Sequence, residues 1–183
     1  MRRHYFLVIL LAIALAGGYA LGQPTRRSIT KASPGDAKPN SSSVPEVYAI
    51  PGQFQRILVL RFKNQTDLLA GLEKMAKEQK IKNAVILAGI GSVRDYQVHS
   101  VSNRDFPSKN TFVKDPSAPA DIVSVNGYIV NGEVHAHMTM TDPDKAFGGH
   151  IEPDTHVFTF AAVTLGVFDD NVDLTHLLDK DYR

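Results

Sequence analysis

The chain has 183 residues, of which 43% are hydrophobic and 21% are charged, and its formal net charge is +1 at pH 7. This length suits one domain with a hydrophobic core, and the composition is that of a soluble globular protein. The sequence has no cysteine, which excludes disulfides, thiolate metal ligands, a cysteine nucleophile and an acylated lipoprotein anchor.

The first 22 residues have the pattern of a secretory signal peptide. Two arginines precede an apolar run over residues 5–16, and small residues at positions 20 and 22 offer a cleavage site. The run is shorter than the ~20 residues that a membrane-spanning helix prefers. We therefore predict a signal peptide over residues 1–22 and a periplasmic or secreted protein. An uncleaved N-terminal membrane anchor is the alternative.

Residues 23–50 are rich in Ser, Pro, Asn, Lys and Thr and have few large apolar side chains. Such a segment buries too little surface to offset its ordering entropy, which predicts a flexible linker. The folded domain is then predicted over residues 51–168, and an acidic tail follows over residues 169–183.

Charge is distributed unevenly along the chain. The first 50 residues hold six Lys or Arg against two Asp or Glu, which leaves 14 basic and 17 acidic side chains, a net charge of −3, in residues 51–183. Nucleic-acid binding depends on clustered basic side chains that neutralise phosphates. The acidic balance of the domain therefore disfavours DNA or RNA as a partner.

The first half of the domain is predicted to form a strand, a helix and a second strand. Residues 56–62 are a short β-rich run, and apolar residues then recur at helical spacing over 68–76, with Thr66 or Asp67 as the N-cap. The second strand candidate ends in Gly-Ile-Gly-Ser at 89–92. We interpret these glycines as a tight turn, because neither the full dinucleotide fingerprint nor a following Lys-Ser/Thr is present.

The second half of the domain is predicted to be rich in β-strands. Alternation at residues 96–101 indicates a strand, and residues 105–119 form a polar loop that contains prolines. An Asn-Gly pair at 131–132 is a strong hairpin-turn signal and leads into a strand over residues 133–141. Residues 156–167 are the last long strand.

The strand over residues 133–141 carries the most informative pattern in the chain. Its Val, Ala and Met side chains share one face, whereas His135, His137 and two threonines share the other. Residues two apart on one face are ~7 Å apart at Cα, a spacing from which two imidazoles can bind one metal. His150, which follows two glycines in a segment predicted to be a loop, offers a third ligand.

A set of three imidazoles leaves one position of a tetrahedral metal open, as in catalytic zinc sites. Neutral imidazoles suit Zn²⁺ best, with Ni²⁺, Cu²⁺ or Fe²⁺ as substitutes. The pattern therefore predicts a divalent metal, zinc in the first place, at His135, His137 and His150. The competing interpretation is that His135 and His137 are surface residues on a solvated sheet face.

Several segments taken together resemble the PCC (plants and prokaryotes conserved, DUF296) domain over roughly residues 55–166. Each segment is a weak signal alone, but their combination and order are specific. The matching segments are Arg61-Phe62 with Asp67-Leu68-Leu69, Ala88-Gly89-Ile90-Gly91-Ser92-Val93, Gly127-Tyr128-Ile129, Val134-His135-Ala136-His137 and Gly148-Gly149-His150.

The resemblance implies an α/β domain of the α+β type, with a mainly antiparallel sheet, one or two flanking helices and a fold similar to that of acetolactate decarboxylase. It also implies a homotrimer, with His135, His137 and His150 as metal ligands. The Arg-Gly-Arg core of the plant members' AT-hook is absent here, so their DNA binding is not carried over. Family members often have an acid in the last strand, near Ala162; its absence weakens a general acid–base role there.

Acidic residues near the metal motif are the candidates for catalysis. Glu152, two residues beyond His150, is the preferred one to orient a ligand's second ring nitrogen or to act as general base on a metal-bound water. Glu133, Asp142 and Asp144 offer the same chemistry, although each is more simply interpreted as a solvated turn acid.

Two other histidines lie in predicted strands. His99 could join the site, although the family motif does not include it, and a structural role is the simpler interpretation. His156 alternates with Phe158 and Phe160, which suggests a ring packed on an apolar face.

Three functions compete on this sequence. The first is an exported, trimeric metal-binding protein that acts as a binding or sensing module, with a small-molecule ligand at the metal. The second is a metal-dependent enzyme, either a hydrolase or a decarboxylase-like lyase, that uses the open metal position. The third, a DNA-associated regulator, is disfavoured by export and by acidity. A membrane is a partner only if the leader is uncleaved.

Overall fold

The structure of the chain, a computed structural model, describes residues 26–29, 41–178 and 182. The predicted signal peptide and part of the predicted linker lie outside these residues. No helix in the described ranges is long and apolar enough to span a membrane. The described elements are β1 (Arg26–Ile29), β2 (Phe54–Lys63), α1 (Leu68–Glu78), β3 (Ala84–Val93), β4 (Tyr96–Val101), β5 (Asn110–Asp115), β6 (Ala120–Val130), β7 (Glu133–Thr141), β8 (Ala146–Ile151), β9 (Val157–Phe168) and a 3₁₀ helix (Thr175–Leu177).

The nine strands form one sheet in the order β1-β5-β4-β8-β7-β6-β3-β9-β2. All neighbouring strands are antiparallel. The predicted α+β fold with a mainly antiparallel sheet is therefore confirmed. Within the described residues, one α-helix accompanies the sheet.

Helix α1 covers one face of the sheet. The Asp67 side chain caps its N terminus by accepting a hydrogen bond from the backbone N–H of Ala70 at 2.8 Å. Asp67 is thus the cap, the second of the two predicted positions. Leu68, Leu72 and Ala76 are buried and join the inward-facing strand residues in one hydrophobic core. The opposite face of the sheet has no such cover from α1.

Strand β7 has the predicted alternation of its two faces. Ala136, Met138 and Met140 are buried in the core that α1 covers, whereas His137 and Thr139 are exposed. The histidines of β7 therefore lie on the face that α1 leaves uncovered.

The hairpin between β6 and β7 turns at the predicted Asn-Gly pair. Asn131 and Gly132 have φ values of 51° and 84°. Positive φ at both central residues is the requirement of a type I′ turn, for which Asn-Gly is the favoured sequence. The predicted turn and the bounds of the following strand are confirmed.

Three segments predicted as turns or loops are strands in the structure. β3 continues through residues 89–92, because pairing with β6 on one side and β9 on the other holds its backbone. β5 lies inside the predicted loop 105–119, where pairing with β1 and β4 holds a polar sequence extended. His150 lies on β8, which pairs with β7 and β4. In each case at least one partner strand is distant in the sequence, and that pairing leaves little trace in the local sequence.

Segments on both sides of the predicted domain also pack onto it. β1 lies within the predicted linker and pairs with β5 at the sheet edge, and all four of its residues are exposed. At the other end, Val172 and Leu174 are buried against Val130. The buried Asn83 side chain donates a hydrogen bond to the carbonyl of Val172 at 2.7 Å. Part of the predicted acidic tail therefore belongs to the fold.

Candidate metal centre

Three neighbouring strands bring four histidines together on the uncovered face of the sheet. In the sheet register, His150 on β8 is opposite both His99 on β4 and His137 on β7. Neighbouring strands are about 4.8 Å apart, so these rings are within contact distance. His135 lies two residues before His137 on β7 and shares its face.

His135 and His137 face each other through their Nε2 atoms, which are 3.3 Å apart. Two nitrogens bound to one tetrahedral zinc are also about 3.3–3.4 Å apart, given Zn–N bonds of about 2.0–2.1 Å. The two rings therefore have the spacing of two ligands to one ion without any rearrangement.

His150 completes what we call the three-histidine group, His135, His137 and His150. Its ring centroid is 4.7 Å from that of His135 and 5.1 Å from that of His137. One ring nitrogen from each histidine lies within 4.8 Å of the other two. The Nδ1 atom of His150 is buried and has no hydrogen-bond partner, which is unfavourable unless an ion or water satisfies it. The structure thus brings the predicted ligands together in a donor set that fits a divalent metal.

The surroundings favour the neutral form of all three rings. Burial, followed by the neighbouring His99, His135 and His137, lowers the pKa of His150 from 6.5 to about 4. Burial also lowers the pKa of His135, with further contributions from His137 and His99, and that of His137, with a contribution from His99. A neutral imidazole keeps the lone pair that binds a metal, whereas a protonated ring has none.

Two glycines before His150 allow β8 to fit between its neighbouring strands. A Cβ on Gly148 would overlap the carbonyl oxygen of Met138 on β7, and one on Gly149 would overlap the carbonyl oxygen of His99 on β4. Glycine permits such a close approach of backbones. His150 is therefore presented by a strand and not by the predicted loop.

Glu152 and His99 form a pair beside His150. The Nδ1 atom of His99 lies 2.5 Å from Oε1 of Glu152. The His99 ring stacks on the His150 ring, with centroids 4.5 Å apart and an angle of 27° between the planes. Glu152, which the sequence predicts either to orient a ligand's second ring nitrogen or to act as general base, is hydrogen-bonded to His99. The alternation in β4 places His99 on the uncovered face, but its register opposite His150 cannot be read from the sequence.

The other predicted acids are not in this group. The Asp142 carboxylate accepts hydrogen bonds from the backbone N–H groups of Asp144 and Lys145, each at 2.9 Å. It therefore stabilises the turn between β7 and β8. Glu133 is exposed at the first position of β7, and Asp144 is exposed in the turn.

His156 has a different environment from the predicted one. Its Nδ1 atom lies 2.7 Å from Oδ1 of Asp95, and the ring is half-buried. Phe158 and Phe160 are exposed. The prediction of a ring packed on an apolar face is therefore wrong, because the His156 ring, just before β9, is hydrogen-bonded to the Asp95 carboxylate.

A large cavity in the described part of the chain lies away from this site. It has a volume of about 1120 Å³ and is lined by residues 41–50 and by the C-terminal segment. None of the three-histidine group lines it. The candidate centre lies on the open sheet face, where the His137 side chain is exposed.

The family model of the Plants and Prokaryotes Conserved (PCC) domain matches residues 49–169. This chain belongs to the PCC family. The PCC domain contains β2 to β9 and therefore every side chain of the candidate centre, together with Glu152 and His99. β1 and the 3₁₀ helix lie outside the matched range.

Solved structures share the fold of this PCC domain. The metal-containing protein AF0104 from Archaeoglobus fulgidus is 18% identical, with a TM-score of 0.57 over 69% of this chain and 89% of that one. A plant- and prokaryote-conserved protein from Pyrococcus horikoshii is 21% identical, with a TM-score of 0.56 over 69% and 87%. A protein from Ralstonia eutropha JMP134, whose name suggests DNA binding, is 21% identical, with a TM-score of 0.50 over 63% and 80%. At these identities the similarity shows the fold alone.

Curated relatives are much longer proteins. The bifunctional GlmU proteins of Synechococcus strains JA-3-3Ab and JA-2-3B'a(2-13) are 22% and 25% identical over 70% and 68% of this chain. The chain spans about a fifth of their length, 20% and 19%.

Proposed function

We propose that this PCC-domain protein binds a divalent metal ion through His135, His137 and His150 and acts as an exported binding or sensing module. The observation that carries the proposal is the convergence of three ring nitrogens within 4.8 Å. The surroundings lower the pKa of each ring, which keeps its lone pair available.

Zinc is the metal that we propose for the three-histidine group. Three imidazoles without a thiolate are a known zinc donor set with one open position. The metal content stated in the name of AF0104, which shares the fold, supports a metal but not its identity. Because His137 is exposed, water or a small molecule from solvent can reach an ion held there.

Catalysis is the alternative use of the same ion, as a hydrolase or a decarboxylase-like lyase. Such an enzyme needs a free acid or base beside the metal, and Glu152 is the candidate. The Glu152 carboxylate is, however, already hydrogen-bonded to His99 at 2.5 Å. We therefore place binding ahead of catalysis. DNA binding is not proposed, because residues 51–183 have a net charge of −3.

Metal content tests this proposal. Protein that has been stripped with a chelator, reloaded with zinc and dialysed should retain at least one ion per chain in elemental analysis. A protein that comes out of this treatment without zinc would contradict the proposal.

We further propose that the protein forms homotrimers through apolar side chains on the uncovered sheet face. Val59 on β2, Ile90 on β3 and Val123 on β6 are 69%, 56% and 55% exposed. Ile57 and Phe160 extend this patch on β2 and β9. Large contiguous apolar patches on a protein surface mark sites of association. The patch lies on the same face as the three-histidine group, so association would bring a second subunit near the metal.

Mass in solution tests the trimer. Light scattering of the wild type should give the mass of three chains, and Val59→Asp together with Ile90→Asp should give monomers, because two carboxylates would have to be buried in the interface. Val47→Asp is the matched control, since Val47 is 88% exposed and lies outside the sheet. A wild type with the mass of one chain would rule out the trimer.

We propose that residues 1–22 direct export. In a Gram-negative host, the full chain should be recovered from the periplasm with Gln23 as its first residue, and a variant that lacks residues 2–22 should stay in the cytoplasm. Cell fractionation with N-terminal sequencing measures both. An intact N terminus in the membrane fraction would indicate the anchor, and an intact N terminus in the cytoplasm would refute export.

A further inference from the structure

A second group of ligand-type side chains lies on the other side of His150 from β7. His99, His150 and Glu152, which we call the second group, each offer one ligand atom, and these atoms lie within 4.8 Å of one another. β8 lies between β4 and β7 in the sheet. His150 is therefore central, with His99 on one side and His137 on the other.

The donors of the second group are two imidazoles and one carboxylate, a set that binds zinc in proteins. The side chains of His99 and Glu152 are 19% and 20% exposed. Among the described residues, Glu152 pairs with His99 and has no lysine or arginine partner. A carboxylate largely withdrawn from water is unfavourable without a full positive charge beside it. A divalent cation would supply that charge.

The contact between His99 and Glu152 indicates how an ion would enter. The Nδ1 and Oε1 atoms are 2.5 Å apart and are joined by a hydrogen bond. Two ligand atoms on one tetrahedral zinc ion are about 3.3–3.4 Å apart, so the pair has to open by a little under one ångström. The proton on Nδ1 of His99 is exchanged through solvent to Nε2 of the same ring, which keeps the imidazole neutral, and the ion takes its place between Nδ1 and Oε1.

His150 can serve both groups because an imidazole ring has two nitrogens. One binds the first ion and the other binds the second, and the remaining ring proton is released to solvent. The buried Nδ1 atom of His150, which has no partner, leaves one of these nitrogens without a competing hydrogen bond.

We propose that the second group binds a divalent cation next to the ion of the three-histidine group, with the His150 ring bridging the two. This inference rests on the proposed function, because the first ion fixes the orientation of His150. The second ion binds more weakly, since it must break the His99–Glu152 hydrogen bond and lies near another cation. The Glu152 carboxylate offsets part of that repulsion.

Zinc stoichiometry tests the inference. Equilibrium dialysis at saturating zinc, followed by elemental analysis, should give two ions per chain for the wild type and one for Glu152→Gln. His99→Phe should also bind one ion, because phenylalanine keeps a ring stacked on His150 but offers no ligand. His156→Gln is the matched control: His156 is likewise paired with a carboxylate, that of Asp95, and this variant should still bind two ions.

The outcomes separate this inference from the proposed function. A wild type that saturates at one ion would overturn the second site and leave the first in place. A Glu152→Gln variant that still binds two ions would also overturn the second site. A wild type that binds no ion would overturn both. With Cu²⁺ as the probe, two ions that share a ring couple magnetically. The paramagnetic resonance signal per copper should therefore be weaker in the wild type than in Glu152→Gln, and equal signals would overturn the bridge.

Discussion

Alanine at both His135 and His137 should lower the affinity for the first zinc ion by about 1,000-fold or more, because two of its three ligands are lost. The second group remains in this variant, but its atoms are engaged in their own hydrogen bond. It should therefore not retain zinc against a competitor. Competition between the protein and a chromophoric chelator for one equivalent of zinc measures the loss of affinity. The wild type should keep the ion, and the variant should lose it to the chelator.

The control for this experiment is His156→Ala, which removes a histidine outside both groups and should compete for zinc like the wild type. The double variant should fold normally, since His137 is exposed and both rings lie on the uncovered face. Its circular dichroism should match that of the wild type. A double variant that holds zinc as tightly as the wild type would contradict the three-histidine group.

Alanine at Gly127 should destabilise the protein by about 3–5 kcal/mol or prevent its folding. Gly127 has a φ of 141°, a backbone conformation that residues with a Cβ rarely adopt. An added Cβ would also overlap the carbonyl oxygen of His135 and would lie 2.8 Å from Cα of Ala136. The clash would push β6 away from the strand that carries the two histidines. Urea unfolding measures the loss.

Gly132→Ala separates backbone strain from the clash. Gly132 also has a positive φ, 84°, but the nearest heavy atom to an added Cβ is 3.9 Å away. The free energy of unfolding of this variant should fall only by the cost of the strained backbone conformation, about 1–2 kcal/mol. Equal losses in the two variants would show that the close approach of β6 and β7 at Gly127 is not important for stability.

The features that the sequence predicts correctly are those with strong local signals. The two faces of β7 follow from its alternation of small or apolar residues with His and Thr. The turn at Asn131 and Gly132 needs two positive φ values, and Asn-Gly supplies them with little strain. Helix α1 has both a periodic apolar face and a capping aspartate.

The errors arise where distant pairing decides the conformation. Gly148 and Gly149 have the local signature of a loop, yet β4 and β7 hold them in a strand. The position of His99 depends on the register between β4 and β8, which are separated by three other strands in the chain. No local pattern records this register. The pairing of Glu152 with His99 could not be predicted for the same reason.

The central claim is that three imidazoles from two neighbouring strands hold one divalent cation. X-ray absorption at the zinc edge, on protein loaded with one equivalent of zinc, tests it most directly. We expect three histidine nitrogens at about 2.0–2.1 Å, together with one exchangeable oxygen ligand. In His135→Ala/His137→Ala, where only the weaker second group remains, the histidine contribution should fall below three rings. A first shell made mainly of water oxygens in the wild type would contradict the claim.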